Sequence, residues 1–408
     1  MCTGTTPRTS FGRTEGGQSL FSPSSVLQRH VRGVVRGATP VPRTQWPAQI
    51  ARMTVSPRRV AIVGAGAIGL SIAWRLLQRG ARVTVYDRGP LGRGASWASA
   101  GLLAATAGHG GPAGTPLDAL CRRALGRWDA FARELTDAAG IDVVPRSEGT
   151  LVVALDAAEA ERLGTAYEAW RAAGDDAQRW LARDVVARLE PALAGTVVAA
   201  RLCPNDRQVD ARRLVAALAE AVRRAGGAVR EHTEVDVERV DADVVVLAAG
   251  AWSGSVPGAP SIPIAPLKGQ MVALRPTPGV TPLRHVVFTR DVYLVPRPGR
   301  LLVGATSEAR GFDTTVTAGS VRLLLDGARR AVPTLDDAPL DDAWAGVRPM
   351  TLDGAPLLGR LTERIVVATG HGRNGILLTP VTAEAITALV LDGALPSWAL
   401  GFGMERFG

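Results

Sequence analysis

Lysine is almost missing from this chain of 408 residues: of its 47 basic side chains only Lys268 is a lysine. The skew reads as the codon bias of a GC-rich genome, so arginine density by itself is no sign of phosphate binding. Acidic residues are scarce at the start, where residues 1–59 hold nine arginines against Glu15 alone. That segment carries +8 of the net charge of +9, and the body is close to neutral. A neutral body gives no electrostatic footprint for a polyanion, so no nucleic-acid partner is expected. The three cysteines (Cys2, Cys121, Cys203) form no close pair and the five histidines no HExxH-type pattern, which argues against a disulfide framework and against a metal site. A reducing cytoplasm is the expected compartment. Long apolar runs are absent too: the uncharged residues 95–117 are broken by five glycines and two prolines, so no membrane span is expected. Residues 1–52 have no sustained apolar period with which to bury a core. Residues 1–57 are read as a disordered or over-called extension, with Met53 as a plausible start and a transit peptide as the weaker reading.

With 46% hydrophobic residues the rest of the chain can bury a sizeable core, and the length suggests two or three domains. From Arg59 the pattern runs strand (RVAIVG), helix (AIGLSIAWRLLQRG), strand (ARVTVYD), a compact βαβ opening. A further apolar strand, DVVVLAA, ends at Gly250. Apolar spacing predicts helices over about 116–138, 157–173, 211–225 and 318–331. Between Gly269 and Thr306 the texture changes: QMVALRP, HVVFTR, VYLVPRPG and RLLVGAT are short β-rich runs divided by Pro and Gly, which predicts an antiparallel sheet. The strand RIVVAT and a last helix stopping at Gly393 close the chain. Returning to strand and helix after an antiparallel region implies two interleaved domains.

In VAIVGAGAIGL, Gly64, Gly66 and Gly69 make GxGxxG at a strand-to-helix junction, and Asp87 ends the next strand 23 residues after Gly64. Each part has a physical task on a dinucleotide. The first glycine permits the tight turn, the second lets the backbone reach the pyrophosphate, the third lets helix meet strand, and the acid takes the ribose hydroxyls. The motif alone does not separate NAD from FAD. After Asp87 the chain enters a long loop of small residues, RGPLGRGASWASAGLLAA, whose Ser96, Ser99 and glycines would let backbone close over a large planar ligand. Near the other end, VATGHGRNGILLTP sets His371, Arg373 and Asn374 among three glycines where a helix is expected to begin. A helix N-terminus with two cationic-type side chains suits an electron-rich partner.

Eight motifs in order carry a resemblance over about 350 residues: GAGAIGLSIAWRL, GASWASAGLL, RQVDARRLVAAL, DVVVLAAGAWS, PLKGQMVAL, VYLVPRPGRLLVGATSE, WAGVRPMTLDGAPLLG and ATGHGRNGILLTPVTA. In these the chain resembles the FAD-dependent amino-acid oxidases of the D-amino-acid oxidase superfamily, most closely the glycine oxidases of thiamine biosynthesis. The resemblance implies an α/β fold: a Rossmann-like FAD-binding domain (58–105, 205–262 and 345–408) interleaved with an α+β substrate domain (106–204 and 263–344) carrying a largely antiparallel sheet. It implies FAD held by Gly64, Gly66, Ala67, Ile68 and Gly69, by Asp87 and Arg88, by Ala95, Ser96, Ala100, Gly101 and Leu102, and by Val235. The same resemblance adds the segment of His371, Gly372, Arg373, Asn374, Gly375, Ile376 and Leu377, which wraps the flavin pyrimidine and whose helix-end potential stabilises charge gathering there on reduction. No cysteine comes after Cys203, so the flavin should be non-covalent.

For the substrate the resemblance assigns Arg348 as the fork that grips a carboxylate through two parallel hydrogen bonds, Tyr293 as a hydroxyl on the same carboxylate, and Arg373 as a second arginine at the rim. The weaker reading of Arg348 is a structural partner of Asp341, Asp342 or Asp353, and Tyr293 taken alone reads as a half-buried packing residue. Three departures touch the side-chain pocket: Gly372 stands where relatives are often bulky, Leu102 where methionine is common, and Ser307 comes after GAT where some relatives carry Met. Lys268 is read as structural, and His371, His285 and Asp291 are not obvious general bases. The expected activity is oxidation of glycine by O2 through the imine to glyoxylate, ammonia and H2O2. Sarcosine or D-amino-acid oxidase or dehydrogenase chemistry is the alternative, and a non-catalytic FAD-binding subunit the reading from another class. A homo-oligomer is left open.

Overall fold

The runs RVAIV and RVTVY form parallel neighbours β1 (Arg59–Val63) and β2 (Arg82–Tyr86), joined by helix α1 (Ala67–Gln78), in the computed structural model. The structure describes residues 57–408 apart from 110–112, 194, 196, 277–278 and 280–281, so the expectations for the N-terminal extension lie outside the described residues. The chain continues through the short α2 (Ala95–Ala98) and β3 (Leu102–Leu103) into the long α3 (Pro116–Ala139). Next come β4 (Thr150–Ala154), α4 (Ala157–Ala172), β5 (Arg179–Ala182), α5 (Arg183–Leu189), β6 (Ala199–Cys203) and β7 (Arg207–Gln208). Helix α6 (Ala211–Arg224) leads to β8 (Ala228–Arg230) and β9 (Val244–Leu247). The meander β10 (Ala265–Leu274), β11 (Val286–Phe288), β12 (Tyr293–Arg297) and β13 (Arg300–Gly304) gives way to α7 (Ala318–Ala331), β14 (Leu340–Met350), β15 (Leu357–Arg360), β16 (Ile365–Thr369) and α8 (Thr379–Leu391).

Two large sheets result. One has the order β15-β16-β9-β1-β2-β8, parallel except for β15 at its edge. Its inner strands are buried on both faces, which is why VVVL and IVVAT read as unbroken apolar runs. Helices α1, α3, α6 and α8 share a core on one face. The second sheet, β14-β10-β13-β12-β11-β4-β6-β5, is antiparallel except for the β11–β4 pair. The fold is thus the expected combination of a doubly wound sheet and a largely antiparallel one.

Helix boundaries obey local chemistry. Thr115 caps α3 by accepting from the Asp118 N–H, Pro116 opens its first turn, and Gly140 ends it at φ +69°. Asp210 caps α6 by accepting from both Arg212 and Arg213 N–H. One local expectation needs correction: the small-residue loop after Asp87 holds one helical turn, α2. Arg348 lies within β14 opposite Leu267, because β14 runs on through Met350 alongside β10.

Candidate active site

A cavity of about 630 Å³ opens where β1 turns into α1 and continues across the inner face of the antiparallel sheet. Its first wall is the glycine turn. Gly64 has φ +114°, and a Cβ there would stand 2.3 Å from the Ala248 carbonyl oxygen of the chain leaving β9. A Cβ on Gly69 would stand 1.9 Å from the Gly64 oxygen, so only glycine allows α1 to sit this close to β1. Asp87 takes the Ala65 N–H on one carboxylate oxygen at 2.8 Å and the Gly89 N–H on the other at 2.9 Å, which fixes it at the cavity edge with lone pairs to spare.

Of the residues expected to hold the cofactor, Gly64, Gly66, Ile68, Asp87, Arg88, Ala95, Ser96, Ala100, Leu102, Val235, His371, Gly372, Arg373, Gly375 and Ile376 line the cavity. Five do not. The Ala67 N–H donates to Ser96 Oγ at 3.0 Å, so the serine caps α1 on the cavity side. Gly69 serves helix–strand contact. A Cβ on Gly101 would lie 1.8 Å from the Val209 oxygen, which makes it a close-approach position under the cavity floor. Asn374 is buried and closes a turn through its own N–H to the His371 carbonyl, and Leu377 is core, its carbonyl accepting from Trp128 Nε1 at 2.8 Å.

The segment before the last helix differs from the sequence reading in two ways. A 3₁₀ turn covers Gly372–Asn374, with Gly372 at φ +53°, and α8 itself begins only at Thr379. His371 is not cationic: it is 3% exposed, its Nε2 lies 3.0 Å from Thr382 Oγ1, and burial pushes its pKa down to about 3. Gly375 and Ile376 are on the cavity wall, and the positive charge at this end is that of exposed Arg373.

Neutral His371 makes stability depend on pH. Unfolded chains take up a proton there below the ordinary value of 6.5, whereas the folded protein does not until about pH 3. The contribution to stability is complete above 6.5 and is lost as pH falls from 6.5 toward 3, by up to about 1.4 kcal/mol per pH unit. His371→Gln, which can still bond Thr382, should flatten the melting temperature against pH in that window. An unchanged slope would assign the acid loss to other groups.

The far wall belongs to the antiparallel sheet. Strand register sets Met271 opposite Gly304, Gly304 opposite Tyr293, and Tyr293 opposite Phe288, so these four make one row across the sheet on the cavity side. The Tyr293 ring lies over Gly304, where a Cβ would come within 2.7 Å of it. Arg348 is half-buried beside this row and donates through Nη1 to the carbonyls of Thr306 at 3.1 Å and Lys268 at 3.4 Å. Burial lowers its pKa, and burial raises that of Tyr293 despite the neighbouring Arg348, so the pair is a guanidinium and a neutral phenol at neutral pH. Among the described residues Arg348 has no carboxylate partner: Asp341 pairs with Arg300 and Asp353 with Arg406. Lys268 is 1% exposed and paired with Asp313 at 2.6 Å, in keeping with a structural role. His285 is bonded to Glu190 away from the cavity, and Asp291 is paired with Arg330. Sequence reasoning missed Met271, Phe288, Gly269, Gly304 and Trp252 as lining residues, because on strands and at element ends they carry no mark that separates wall from core.

A doubly wound sheet with a glycine-turn cavity running onto an antiparallel sheet defines a dinucleotide-dependent enzyme fold in which cofactor and substrate meet between two sheets. The family profile described as FAD dependent oxidoreductase matches residues 59–389, and the chain belongs to that family, with FAD as its cofactor. It is 39% identical over 353 residues, 81% of this chain and 92% of the relative, to the glycine oxidase of Geobacillus kaustophilus. It is 35% identical to the bifunctional protein ThiO/ThiG of Synechocystis sp., covering 85% of this chain and 54% of that one. The crystal structure of the Geobacillus kaustophilus glycine oxidase superposes with TM-score 0.79 at 36% identity, over 86% of this chain and 100% of that one. The residues present fit FAD: a turn that admits backbone contact, a carboxylate with free lone pairs, a serine hydroxyl, and at the other end an exposed arginine beside a glycine-rich wall. Among the described residues no helix is long and apolar enough to cross a membrane.

Proposed function

We propose that the chain oxidises glycine with O2 to glyoxylate, ammonia and H2O2. The observation that carries the reading is Arg348: a half-buried guanidinium on the cavity wall, next to a neutral Tyr293 hydroxyl, with no carboxylate of the described residues beside it. Such a site lacks an anion, and the α-carboxylate of a small amino acid supplies one. FAD, when bound, would supply a two-electron acceptor for the α-carbon hydride, with O2 as the final oxidant. Arg348 holds the carboxylate through its planar fork, Tyr293 donates its hydroxyl to it, and Arg373 adds positive potential at the rim. Met271 and Phe288 keep water from the reacting face. The amine lone pair becomes the C=N bond of the imine, which water then hydrolyses.

The likeness to ThiO/ThiG supports the imine as the feed for thiazole formation in thiamine biosynthesis. FAD is non-covalent in this reading, and the protein is cytoplasmic: the two described cysteines, Cys121 and Cys203, are buried and unpaired, with thiols pushed up to about 12 by burial. The FAD-binding domain would comprise 58–105, 205–262 and 345–408, which hold every strand of the mostly parallel sheet, and the substrate domain 106–204 and 263–344, with α3 reaching into the core of the first. Anaerobic titration tests the function. Glycine should bleach the flavin's visible absorption, and turnover on glycine should exceed that on sarcosine and D-alanine. No bleaching by any of the three would leave a non-catalytic subunit, and turnover with an acceptor dye but not O2 a dehydrogenase.

A further inference from the structure

The guanidinium of Arg348 rests on two backbone carbonyls, and both belong to a network of side chains that lies outside the cavity lining. Thr306 supplies the nearer carbonyl, at 3.1 Å, and Lys268 the other, at 3.4 Å. Two residues on from Lys268 in β10 is Gln270, which is fully buried. Its N–H donates to Thr306 Oγ1 at 2.9 Å, and its carbonyl accepts from the Thr306 N–H at 3.2 Å. Its side chain donates to Glu308 Oε1 at 2.8 Å and to Ser320 Oγ at 2.9 Å, and accepts from the Thr317 N–H at 2.8 Å. The Thr306 hydroxyl completes the ring by donating to Glu308 Oε1 at 2.5 Å. Glu308 is tied back to Lys268 by a reciprocal pair of backbone hydrogen bonds, each 3.0 Å.

A cross-linked network of this kind, anchored on buried Gln270, is stiff, and its bonds at Gln270, Thr306 and Glu308 hold the peptide planes at residues 268 and 306. The direction of a planar fork matters more than its charge, because a small rotation costs one of its two parallel bonds. We propose that Thr306 is a positioning residue for Arg348: its hydroxyl, pinned between the Gln270 amide and the Glu308 carboxylate, holds the Thr306 carbonyl against the guanidinium so that the fork keeps its carboxylate-binding orientation. This rests on the reading of Arg348 as the carboxylate anchor. Valine at 306 keeps the shape and loses both bonds of the hydroxyl, whereas serine keeps the hydroxyl.

The experiment compares Thr306→Val, Thr306→Ser and Arg348→Ala in the FAD-loaded full chain. It measures FAD content, melting temperature, kcat and KM for glycine, and the Kd of acetate, an unreactive carboxylate, from the shift it causes in the flavin spectrum. Thr306→Val should raise both the glycine KM and the acetate Kd by about 5- to 10-fold, the size of one hydrogen bond's worth of orientation, while kcat at saturating glycine and FAD content stay close to wild type. Thr306→Ser should restore both affinities. A network that only braces the loop would lower the melting temperature of Thr306→Val and leave both affinities unchanged, which overturns the proposal, as does a serine variant no better than valine. If Thr306→Val does not retain FAD, Glu308→Ala removes the hydroxyl's acceptor instead, and wild-type affinities there also overturn it. Wild-type affinities in Arg348→Ala would refute the anchor reading itself, separately from Thr306.

Discussion

Arg348→Ala is expected to abolish most glycine affinity, by about 2–5 kcal/mol or roughly 30-fold to several thousand-fold, because a carboxylate left in a dry pocket without its partner keeps its desolvation cost. Arg348→Lys should recover only part of the loss. An ammonium restores the charge but is a single point donor where the fork offered two parallel bonds. Both variants should keep FAD and melt near the wild-type temperature, since the missing interaction exists only with substrate present and Arg348 has no carboxylate partner among the described residues. The measurement is glycine kinetics together with flavin content and melting temperature on the same samples. A structural arginine would give the reverse: flavin loss and lower melting temperature with little change in KM. That outcome is disfavoured by the geometry, in which Asp341 and Asp353 are already engaged by Arg300 and Arg406. Wild-type behaviour on every measure would refute both roles.

The parts of this fold that sequence alone discloses are those governed by local rules. The βαβ opening is one, because Gly64, Gly66 and Gly69 each answer a steric demand that their own neighbours create. The helices α3, α4, α6 and α7 are another, since periodicity and caps such as Thr115, Asp210 and Thr317 fix them within a residue or two of the expected limits. Strands β4, β5 and β6 are not readable in the same way. They are four or five residues long, are separated by helices, and depend on a parallel pairing of β4 with β11, far away in sequence. Side-chain type misleads at His371, where a residue that looks cationic in a glycine-rich stretch is neutral because the last helix and strand bury it. Arg348 and Tyr293 are reached only through resemblance. The row of Met271, Gly304 and Phe288 escapes even that, because an apolar or glycine residue on a strand looks the same whether it faces a core or a cavity.

Gly269→Ala is expected to reproduce the Arg348→Ala phenotype without touching the arginine. Gly269 and Arg348 are diagonal neighbours on paired strands β10 and β14, since Gly269 is opposite Gly346. A Cβ at 269 would lie 2.4 Å from both Nη1 and Nη2 of Arg348. The obstruction is the end of a flexible side chain and not backbone, so the strand pairing can survive and the guanidinium is what moves. It then leaves the Thr306 and Lys268 carbonyls and turns its fork away from the carboxylate position. The glycine KM should rise by at least about 10-fold, with FAD content kept, because a misdirected fork loses a charge-assisted hydrogen bond. Arg348→Ala removes the obstructing group, so the double variant should be no worse than Arg348→Ala alone, and the two effects should fail to add. Additive losses in that cycle would mean that Gly269 acts by another route, such as contact with the cofactor on the cavity wall it lines. A Gly269→Ala protein with unchanged glycine affinity would show that the direction of the Arg348 fork does not set substrate binding.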